Sequence, residues 1–261
     1  MALIKSKQDI VQLKKGGQIL GRILEKLAAM AKSGVSTWEI DQAAEKMVKA
    51  AGGRPSFKGY ASRSGETPFP CVVCVSINHE LVHGIAKKNV ILKTGDILSI
   101  DIGMERRGCF MDTAITVPIG KIPAKTRQLL NVTQESLEVA IKEVKAGISV
   151  ATIGRAIEKY VKSQGNYGIV RDLVGHGVGH AVHEEPRIPN YYDPQLEKFI
   201  LKPGMVLAIE PMISLGDCRI KVGDDNWTIE MADCSLCAHF EHTVVVTEKG
   251  CTVVTRRPKE L

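Results

Sequence analysis

The chain carries the same helical pattern twice. The segments SGVSTWEIDQAAEKMVKAAG (33–52) and AGISVATIGRAIEKYVKSQG (146–165) align at a constant offset without gaps. In the first copy Ser36 and Glu39 form a capping box, apolar residues recur on one face, and Gly52 follows the last turn. The repeat therefore predicts two equivalent helices, one in each half of the chain.

A strand pattern is repeated as well. The segments LKTGDILSIDIG (92–103) and LKPGMVLAIEPM (201–212) share the order L-K-x-G-x-[IV]-L-x-I-[DE]. Further helical patterns precede each copy of the helical repeat, at about 7–31 and about 123–145. Each half then reads helix, helix and several strands, which predicts two halves related by a pseudo-two-fold axis.

Length and composition agree with an intracellular globular chain. The 261 residues suffice for one large domain, which we expect over 1–261 with halves of about 1–120 and 121–261. No apolar run approaches the ~20 residues of a membrane span, and the charged N-terminus does not resemble a signal peptide, so we expect a cytoplasmic protein without membrane contact. Seven cysteines, an odd number, are typical of free thiols. The net charge of +6 is spread over helical segments, which favours a solvated surface over an RNA-binding face.

Two acids occupy equivalent positions in the duplicated strands. Asp101 in the first copy corresponds to Glu210 in the second, and each is expected to end an otherwise apolar strand. Either acid alone is equally compatible with a strand end beside solvent, but the duplication would set the two facing each other across the axis. Buried carboxylates are costly unless a cation compensates their charge. The pair therefore indicates an interior that binds cations.

Two more acids interrupt strand-like stretches. Asp112 lies in GCFMDTAITV and Glu241 in CAHFEHTVVVT, both in largely apolar surroundings. With one imidazole, the four carboxylates would form a five-ligand set able to hold two divalent metals about 3.5–4 Å apart. Ligation by many oxygens and one nitrogen suits Mn, Fe or Co and admits Zn, but it does not suit a thiolate-selecting metal.

The segment GHGVGHAVHEEP (175–186) offers three candidates for that imidazole. His176, His180 and His183 follow one another at spacings of four and three residues, with glycines between the first two. On a helix the i, i+4 spacing would favour His176 with His180, so spacing alone does not separate the three. The glycines would let the backbone bend closely around a metal.

The acids and this histidine segment resemble one known family. Asp101, Asp112, His176, Glu210 and Glu241, in this order, are similar to the D-D-H-E-E metal set of the type I methionine aminopeptidases. The segments SINHELVHGI, GHGVGHAVHEEP, MVLAIEPM and EHTVVVTEKG carry the resemblance, which extends over essentially the whole chain and is closest to the bacterial form. It implies an α+β pita-bread fold, with internally duplicated helix-helix-strand halves about a pseudo-two-fold axis and a curved antiparallel sheet.

The resemblance implies a role for most of the histidines. His176 matches the metal-ligating histidine of the family. His183 matches the catalytic histidine that steadies the substrate carbonyl oxygen, and His83 matches the catalytic histidine near the scissile nitrogen. His180 is left without a role.

The resemblance also assigns the acids. Asp112 and Glu241 would bridge two divalent metal ions, and Asp101 would complete the second site. The metals would activate the water that attacks the substrate carbonyl. Glu210 would act both as a ligand and as a catalytic proton shuttle.

A methionine pocket is expected beside the metals. The resemblance gives its substrate-binding residues as Tyr60, Phe69, Cys74, His83, His183 and Trp227. The resemblance also places Phe57 beside them, although the loop YASRSGETPF (60–69) is longer here than in the family. Two other departures stand nearby: Phe110-Met111 where His-Gly is commoner, and Gly103 where a threonine often lies near the second metal.

The stretch HELVH (79–83) spells the zincin signature H-E-x-x-H. That signature binds zinc when it lies on a helix, so that both histidines reach one ion. Here CVVCVSIN precedes it with a strand pattern and Gly84 follows at once, which leaves little room for a helix. We therefore expect no zincin site, and His79 has no assigned role.

The pairs Cys71–Cys74 and Cys234–Cys237 together mimic a zinc ribbon. They lie in opposite halves of the chain and in strand-like context, where positions i and i+3 point to opposite faces. Buried or pocket-lining thiols are the favoured interpretation.

The sequence thus predicts an aminopeptidase that removes the initiator methionine from nascent chains with a small second residue. We expect a monomer whose partners are nascent N-termini, with the ribosome surface as a candidate contact. One alternative is a proline-specific peptidase of the same fold, although those carry a large additional N-terminal domain. The other is a non-catalytic pita-bread protein that binds RNA or ribosomes, although such proteins lose ligands that this chain keeps.

Overall fold

The computed structural model describes residues 3–61 and 67–260. Within them lie four α-helices: α1 Lys7–Met30, α2 Thr37–Ala50, α3 Ala124–Glu143 and α4 Val150–Gln164. The strands are β1 Arg54–Pro55, β2 Val73–Ile77, β3 Glu80–Val82, β4 Ile97–Arg106, β5 Cys109–Pro118, β6 Gly168–Ile169, β7 Gly175–Gly177, β8 Glu184–Ile188, β9 Val206–Ile209, β10 Met212–Ser214, β11 Ile220–Val222, β12 Ile229–Met231, β13 Cys237–His239, β14 His242–Val246 and β15 Cys251–Val253. Two short 3-10 helices occupy Pro194–Leu196 and Pro258–Glu260.

The duplicated helices form where the sequence predicts them. At the start of α2, Ser36 Oγ accepts a hydrogen bond from Glu39 N, and Glu39 Oε2 accepts one from Ser36 N at 2.8 Å, which confirms the capping box. Ser149 is the equivalent N-cap residue of α4, but its side chain accepts no hydrogen bond from a backbone N–H of the first turn. It lies instead 3.2 Å from Glu197 Oε2, so the two copies share a helix but not its cap.

Every strand pairing among the described residues is antiparallel. The expectation of one curved sheet becomes four hydrogen-bonded groups: β1-β4-β2 with β5 beside β4, β13-β10-β6, β11-β12-β3, and β15-β14-β9-β7-β8. The groups separate because short strands and loops interrupt the pairing, for example between β9 and β10 at Pro211. The long hairpin of β4 and β5 belongs to the first half, and β9 with β14 to the second.

Two large apolar cores follow the duplication. The first packs α1 and α2 against β2, β4 and β5, with Leu20 and Ile100 fully buried. The second packs α3 and α4 against β9 and β14, with Leu129 and Leu207 fully buried. None of the described helices combines the length and the apolar character needed to cross a membrane. Each core supports one wall of the space between the halves.

Asp101 departs from the sequence expectation. It was expected to end its strand, but β4 continues for five more residues to Arg106 because the pairing with β5 runs along the whole hairpin. Glu210, in contrast, directly follows the last residue of β9. The two acids therefore occupy the same position in the repeat, but Asp101 lies inside its strand and Glu210 lies just after its strand.

Candidate metal centre and substrate cavity

One cavity of about 640 Å³ contains the site expected from the sequence. Its walls come from both halves of the chain. They include every residue predicted as a ligand, a catalytic residue or a pocket wall: Phe57, Tyr60, Phe69, Cys74, His83, Asp101, Asp112, His176, His183, Glu210, Trp227 and Glu241. His79 and His180 do not line it.

The register of the first sheet explains why its acids meet. Cys74 in β2 lies directly opposite Asp101 in β4, so their side chains share a face. Asp112 in β5 lies opposite Gly103, two residues along β4 and therefore on that same face. Asp101 and Asp112 are thus diagonal neighbours, and Cys74 lies beside them.

The second half supplies its ligands in the same way. Ile209 pairs with His242 where β9 meets β14, and Met212 pairs with His239 where β10 meets β13. Both pairs belong to the same register. When that register is continued across the gap between the two strand pairs, Glu210 lies opposite Glu241. His176 in β7 pairs with Ala208 on the other side of β9, next to a β-bulge between His176 and Gly177.

These strands bring three potential ligands close together. One ligand atom each from Asp112, His176 and Glu241 lies within 4.8 Å of the other two. His176 Nε2 lies 3.5 Å from Glu210 Oε1, which adds a fourth group to the cluster. Asp101 completes the set in the same cavity.

Burial raises the pKa of all four carboxyl groups. The pKa of Asp112 rises to about 7, from burial and then the charge of Glu210, and that of Glu210 rises to about 8 from burial. The pKa values of Asp101 and Glu241 lie well above their usual range, because both are buried and lie among the other acids. Four ionised carboxylates would repel one another here unless cations neutralised them.

The residues fit divalent metal ions. Asp101 Oδ1 is buried and accepts no hydrogen bond from the part of the chain that the structure describes, so it is an oxygen donor in need of a partner. The other donors are carboxylate oxygens and one imidazole nitrogen. Such an oxygen-rich set with one nitrogen suits divalent metals of the Mn, Fe and Co type.

His176 has the ring orientation of a metal ligand. Its Nδ1 lies 2.9 Å from Gly177 O, and since a carbonyl oxygen only accepts, Nδ1 carries the proton. The lone pair of Nε2 therefore faces the acids. Burial lowers the pKa of His176 to about 3, with His183 as the next cause, which keeps the ring neutral and able to coordinate.

His183 projects into the cavity beside His176, with ring centroids 4.5 Å apart. Its Nδ1 lies 2.8 Å from the hydroxyl of Tyr60. When that hydroxyl donates, Nδ1 accepts and the ring proton resides on Nε2. Protein atoms surround most of the ring, so burial lowers the pKa of His183 even though its cavity face is exposed.

His180 points away from the cavity toward the start of α1. Its Nε2 lies 3.3 Å from Asp9 Oδ2, and its backbone N donates to Glu184 Oε1. Glu184 also forms a buried ion pair with Lys5, Nζ to Oε2 at 2.5 Å. His180 therefore helps fasten the histidine segment to the N-terminal region. The sequence offered no signal for these contacts.

The HELVH stretch is not helical. His79 lies in a turn, Glu80–Val82 form β3, and His83 has a left-handed backbone with φ of 59°. His79 Nε2 lies 3.9 Å from Glu230 Oε2, outside the cavity, whereas His83 faces Trp227 inside it. Burial, then the charges of His183 and His239, lowers the pKa of His83 to about 4. The two histidines of the motif thus lie in different environments, unlike those of a zincin.

Aromatic side chains wall one end of the cavity. Phe69 and Trp227 meet edge to face with centroids 5.2 Å apart, and Trp227 Nε1 donates to Thr67 O at 2.9 Å. Phe57 and Cys74 are buried in the same apolar cluster, which settles the place of Phe57 in the wall. Of the segment over 60–69, residues 62–66 lie outside the described residues.

Two positions at which the sequence departs from the family pattern, Gly103 and Met111, each lie in a close steric contact. A β-carbon at Gly103 would lie 2.1 Å from Ser56 Oγ and 2.7 Å from Cε1 of Phe57. A β-carbon at Gly16 in α1 would lie 2.5 Å from the sulfur of Met111. In each case a larger neighbour occupies the space above a glycine.

The cysteines do not form a ribbon-like cluster. The structure has Cys71, Cys74 and Cys237 as buried free thiols, whereas Cys234 is exposed in a turn. Burial, then the charges of Asp101 and Asp112, raises the pKa of the Cys74 thiol well above its usual range, so Cys74 is a protonated wall of the cavity.

One residue near the ligands was missed by sequence reasoning. His239 is buried, and its Nε2 lies 3.5 Å from Glu210 Oε2. The available signal was its position two residues before Glu241, on the same face of a strand-like stretch. Burial lowers the pKa of His239 to about 4, so its ring is neutral.

Comparisons with known proteins identify the family. Residues 11–248 match the profile of metallopeptidase family M24. The sequence is 44% identical to Methionine aminopeptidase 1 of Bacillus subtilis strain 168, over 98% of this chain and 100% of that protein. It is 38% identical to the methionine aminopeptidase of Escherichia coli K12, over 97% of this chain and 94% of that protein. The resemblance drawn from the sequence motifs is confirmed.

Solved structures give the same result for the fold. A methionine aminopeptidase from Thermotoga maritima superposes with a TM-score of 0.93 at 38% identity, covering 98% of this chain and 100% of that one. A prolidase from Pyrococcus furiosus superposes with a TM-score of 0.76 at 24% identity, covering 97% of this chain and 65% of that one. The second likeness shows the fold alone. The expected α+β pita-bread fold is confirmed.

Proposed function

The chain belongs to metallopeptidase family M24, and we propose that it is a methionine aminopeptidase that removes the initiator methionine from nascent chains with a small second residue. One observation carries the proposal. Ligand atoms of Asp112, His176 and Glu241 lie within 4.8 Å of one another in a cavity that also has an aromatic end. The cluster suits metal-assisted hydrolysis, and the aromatic end suits a long apolar side chain.

Two divalent ions would be held by Asp101, Asp112, His176, Glu210 and Glu241, which line one cavity. Bound ions of this kind polarise a carbonyl group and lower the pKa of water. We expect Mn, Fe or Co, and Zn is also compatible with the donors. The protein's part is to hold these donors in a buried cavity, where their charge strengthens cation binding.

The protein side chains position the substrate and move its proton. The methionine side chain lies against Phe69, Cys74 and Trp227, whose ring and sulfur contacts suit a thioether. His183 donates from Nε2 to the substrate carbonyl oxygen, since Tyr60 occupies Nδ1. Glu210 accepts the proton of the attacking water and passes it to the scissile nitrogen as the C–N bond breaks. His83 lies beside that nitrogen.

The second residue of the substrate is selected by space. Its side chain would stand between His83 and the rim of the cavity, so glycine and alanine enter and lysine or leucine does not. We expect the enzyme to act as a monomer in the cytoplasm on emerging nascent chains, with the ribosome surface as a candidate contact.

Methionine release from peptides tests the proposal. Purified protein supplied with Mn(II) should release methionine from Met-Gly-Met and Met-Ala-Met, and leave Met-Lys-Met intact. The same protein treated with a chelator is the control. Cleavage of Ala-Pro in place of Met-Gly-Met would favour the proline-specific peptidase, and no release from any peptide would favour the non-catalytic alternative.

A further inference from the structure

His239 lies directly behind Glu210. It is 1% exposed, and its backbone partner across the strands is Met212, two residues after Glu210. Since Glu210 and Met212 alternate to the same face, His239 is the diagonal neighbour of Glu210, a distance that long side chains span. Unlike Met212, His239 does not line the cavity. Its ring therefore lies behind the cavity wall, next to Glu210.

The backbone of His239 is fixed on both sides. Thr116 Oγ1 accepts from His239 N and donates to His239 O, both at 2.8 Å. Because the only hydroxyl proton of Thr116 is used in this way, Ser99 Oγ must donate to Thr116 Oγ1, 2.8 Å away. A buried polar chain through β4 and β5 thus fixes the position of His239.

Among the described residues, Glu210 supplies the carboxylate that lies within ion-pair distance of the ring of His239. Neither ring nitrogen makes a hydrogen bond to any residue in 3–61 or 67–260, although both nitrogens are buried. Nε2 lies 3.5 Å from Glu210 Oε2, while Glu210 Oε1 lies 3.5 Å from His176 Nε2. The carboxylate is therefore set between two imidazoles. A buried N–H without an acceptor is costly, and Glu210 Oε2, 3.5 Å away, is the acceptor that the described residues offer to Nε2.

We propose that His239 is a positioning residue that donates from Nε2 to Glu210 Oε2 and so presents Glu210 Oε1 to the metal site beside His176. This inference rests on the proposed role of Glu210 as a ligand. Gly177 O orients His176 through Nδ1, the ring nitrogen that does not face the acids. His239 orients Glu210 in the same way, through Oε2, the carboxylate oxygen that does not face His176. Partners of this kind behind a ligand typically change metal affinity by about 10–100-fold.

Three variants of His239 test the inference through Mn(II) binding. His239→Leu keeps the volume and removes the donor, so Mn(II) affinity measured by calorimetry should fall about 10–100-fold. His239→Gln can reach Glu210 with an amide N–H and should recover most of that affinity, whereas the shorter His239→Asn should not. With saturating Mn(II), His239→Leu should lower kcat on Met-Gly-Met and leave KM nearly unchanged, because His239 does not touch substrate.

A double-mutant cycle separates positioning from a general structural role. If His239 acts through Glu210, then adding His239→Leu to Glu210→Gln should cause little further loss of Mn(II) affinity. His242→Leu is the matched control, because His242 is equally buried but contacts Thr255 and Glu260 instead. It should lower the melting temperature while Mn(II) affinity stays within about twofold of the wild type.

Wild-type Mn(II) affinity in His239→Leu would overturn the inference, and so would equal losses in the Leu and Gln variants or full additivity with Glu210→Gln. Should His239→Leu not fold, the comparison of Gln with Asn decides the question alone. Mn(II) binding without methionine release would overturn the proposed function but leave the test of His239 intact. A wild-type protein with no Mn(II) affinity would overturn both.

Discussion

Asp112 and Glu241 come from opposite halves of the chain, yet their carboxylate oxygens lie within 4.8 Å of each other. Two hydrogen bonds join β5 to the residue between β13 and β14: Glu241 N donates to Ala114 O at 3.0 Å, and the Thr113 side chain donates from Oγ1 to Glu241 O at 2.8 Å. These two carboxylates of the proposed metal site therefore lie at the seam between the two halves.

Removing either bridge should abolish activity. Asp112→Ala and Glu241→Ala each delete a carboxylate that would neutralise two cations, so we expect the metal content after dialysis to fall and methionine release to drop below detection. Elemental analysis and a Met-Gly-Met assay measure both effects. Wild-type turnover by either variant at any metal concentration would contradict the two-metal assignment.

Two histidines of the segment GHGVGHAVHEEP (175–186) should differ in effect. His183→Ala removes a cavity donor oriented by Tyr60, so kcat should fall by about 10²–10³ while the metal content is kept. His180→Ala breaks a contact with Asp9 outside the cavity and should change kcat much less. Steady-state kinetics of the two variants, side by side, decide the assignment. A larger loss in His180→Ala would reverse it.

The H-E-x-x-H stretch can be tested directly. A zincin needs both His79 and Glu80, one as ligand and the other as base. Glu80 instead accepts from Ile77 N at 2.8 Å and His79 lies near Glu230, so we expect no metal loss in either alanine variant and substantial activity in His79→Ala. Inactive protein from both substitutions, with the metal lost from His79→Ala, would restore the zincin alternative.

The pocket should prefer unbranched side chains. A slot walled by Phe69, Cys74 and Trp227 accepts a straight chain, and apolar pockets discriminate one branch or methylene by ~1–3 kcal/mol. N-terminal norleucine should therefore be cleaved nearly as well as methionine, and leucine about 10–200-fold more slowly in kcat/KM. Equal kcat/KM for Met-Gly and Leu-Gly peptides would show that the pocket is placed wrongly.

Glu260 should make folding stability depend on pH. Burial raises its pKa, but His242 and Arg257 lower it to about 2, below the ~4.3 of an unfolded chain. A lowered pKa stabilises the fold above the unfolded value, and that contribution is lost as pH falls from about 4.3 toward 2. Glu260→Gln should thus cost at most about 3 kcal/mol at pH 7, and the difference from wild type should shrink on acidification. Urea unfolding at pH 6, 4 and 3 measures this; a difference independent of pH would refute it.

The sequence predicted the helices and the ligands for different reasons. Helix positions follow from local patterns such as the Ser36 capping box, which depend on neighbouring residues alone. Asp112 and Glu241 stood out because acids in apolar strands need a cation. Asp101 was misplaced within its strand, because the length of the β4–β5 hairpin depends on pairing between strands that no local pattern records.

The histidines show what local sequence patterns do not predict. Spacing did not separate His176 from His180, since their faces are set by the bulge at His176 and Gly177. The resemblance to a known family separated them, and the contact of His180 with Asp9 supplies the physical reason. His239 was missed because its partner, Glu210, is distant in sequence.

The ring of Phe57 occupies the space above Gly103, where the family pattern often has a threonine. A threonine at 103 would collide with this ring and with Ser56 Oγ, so a larger residue there requires both neighbours to change. Phe57 also lines the substrate cavity, so a ligand that reaches this wall meets an aromatic ring. An inhibitor shaped to that ring should therefore discriminate against family members that carry a threonine at this position.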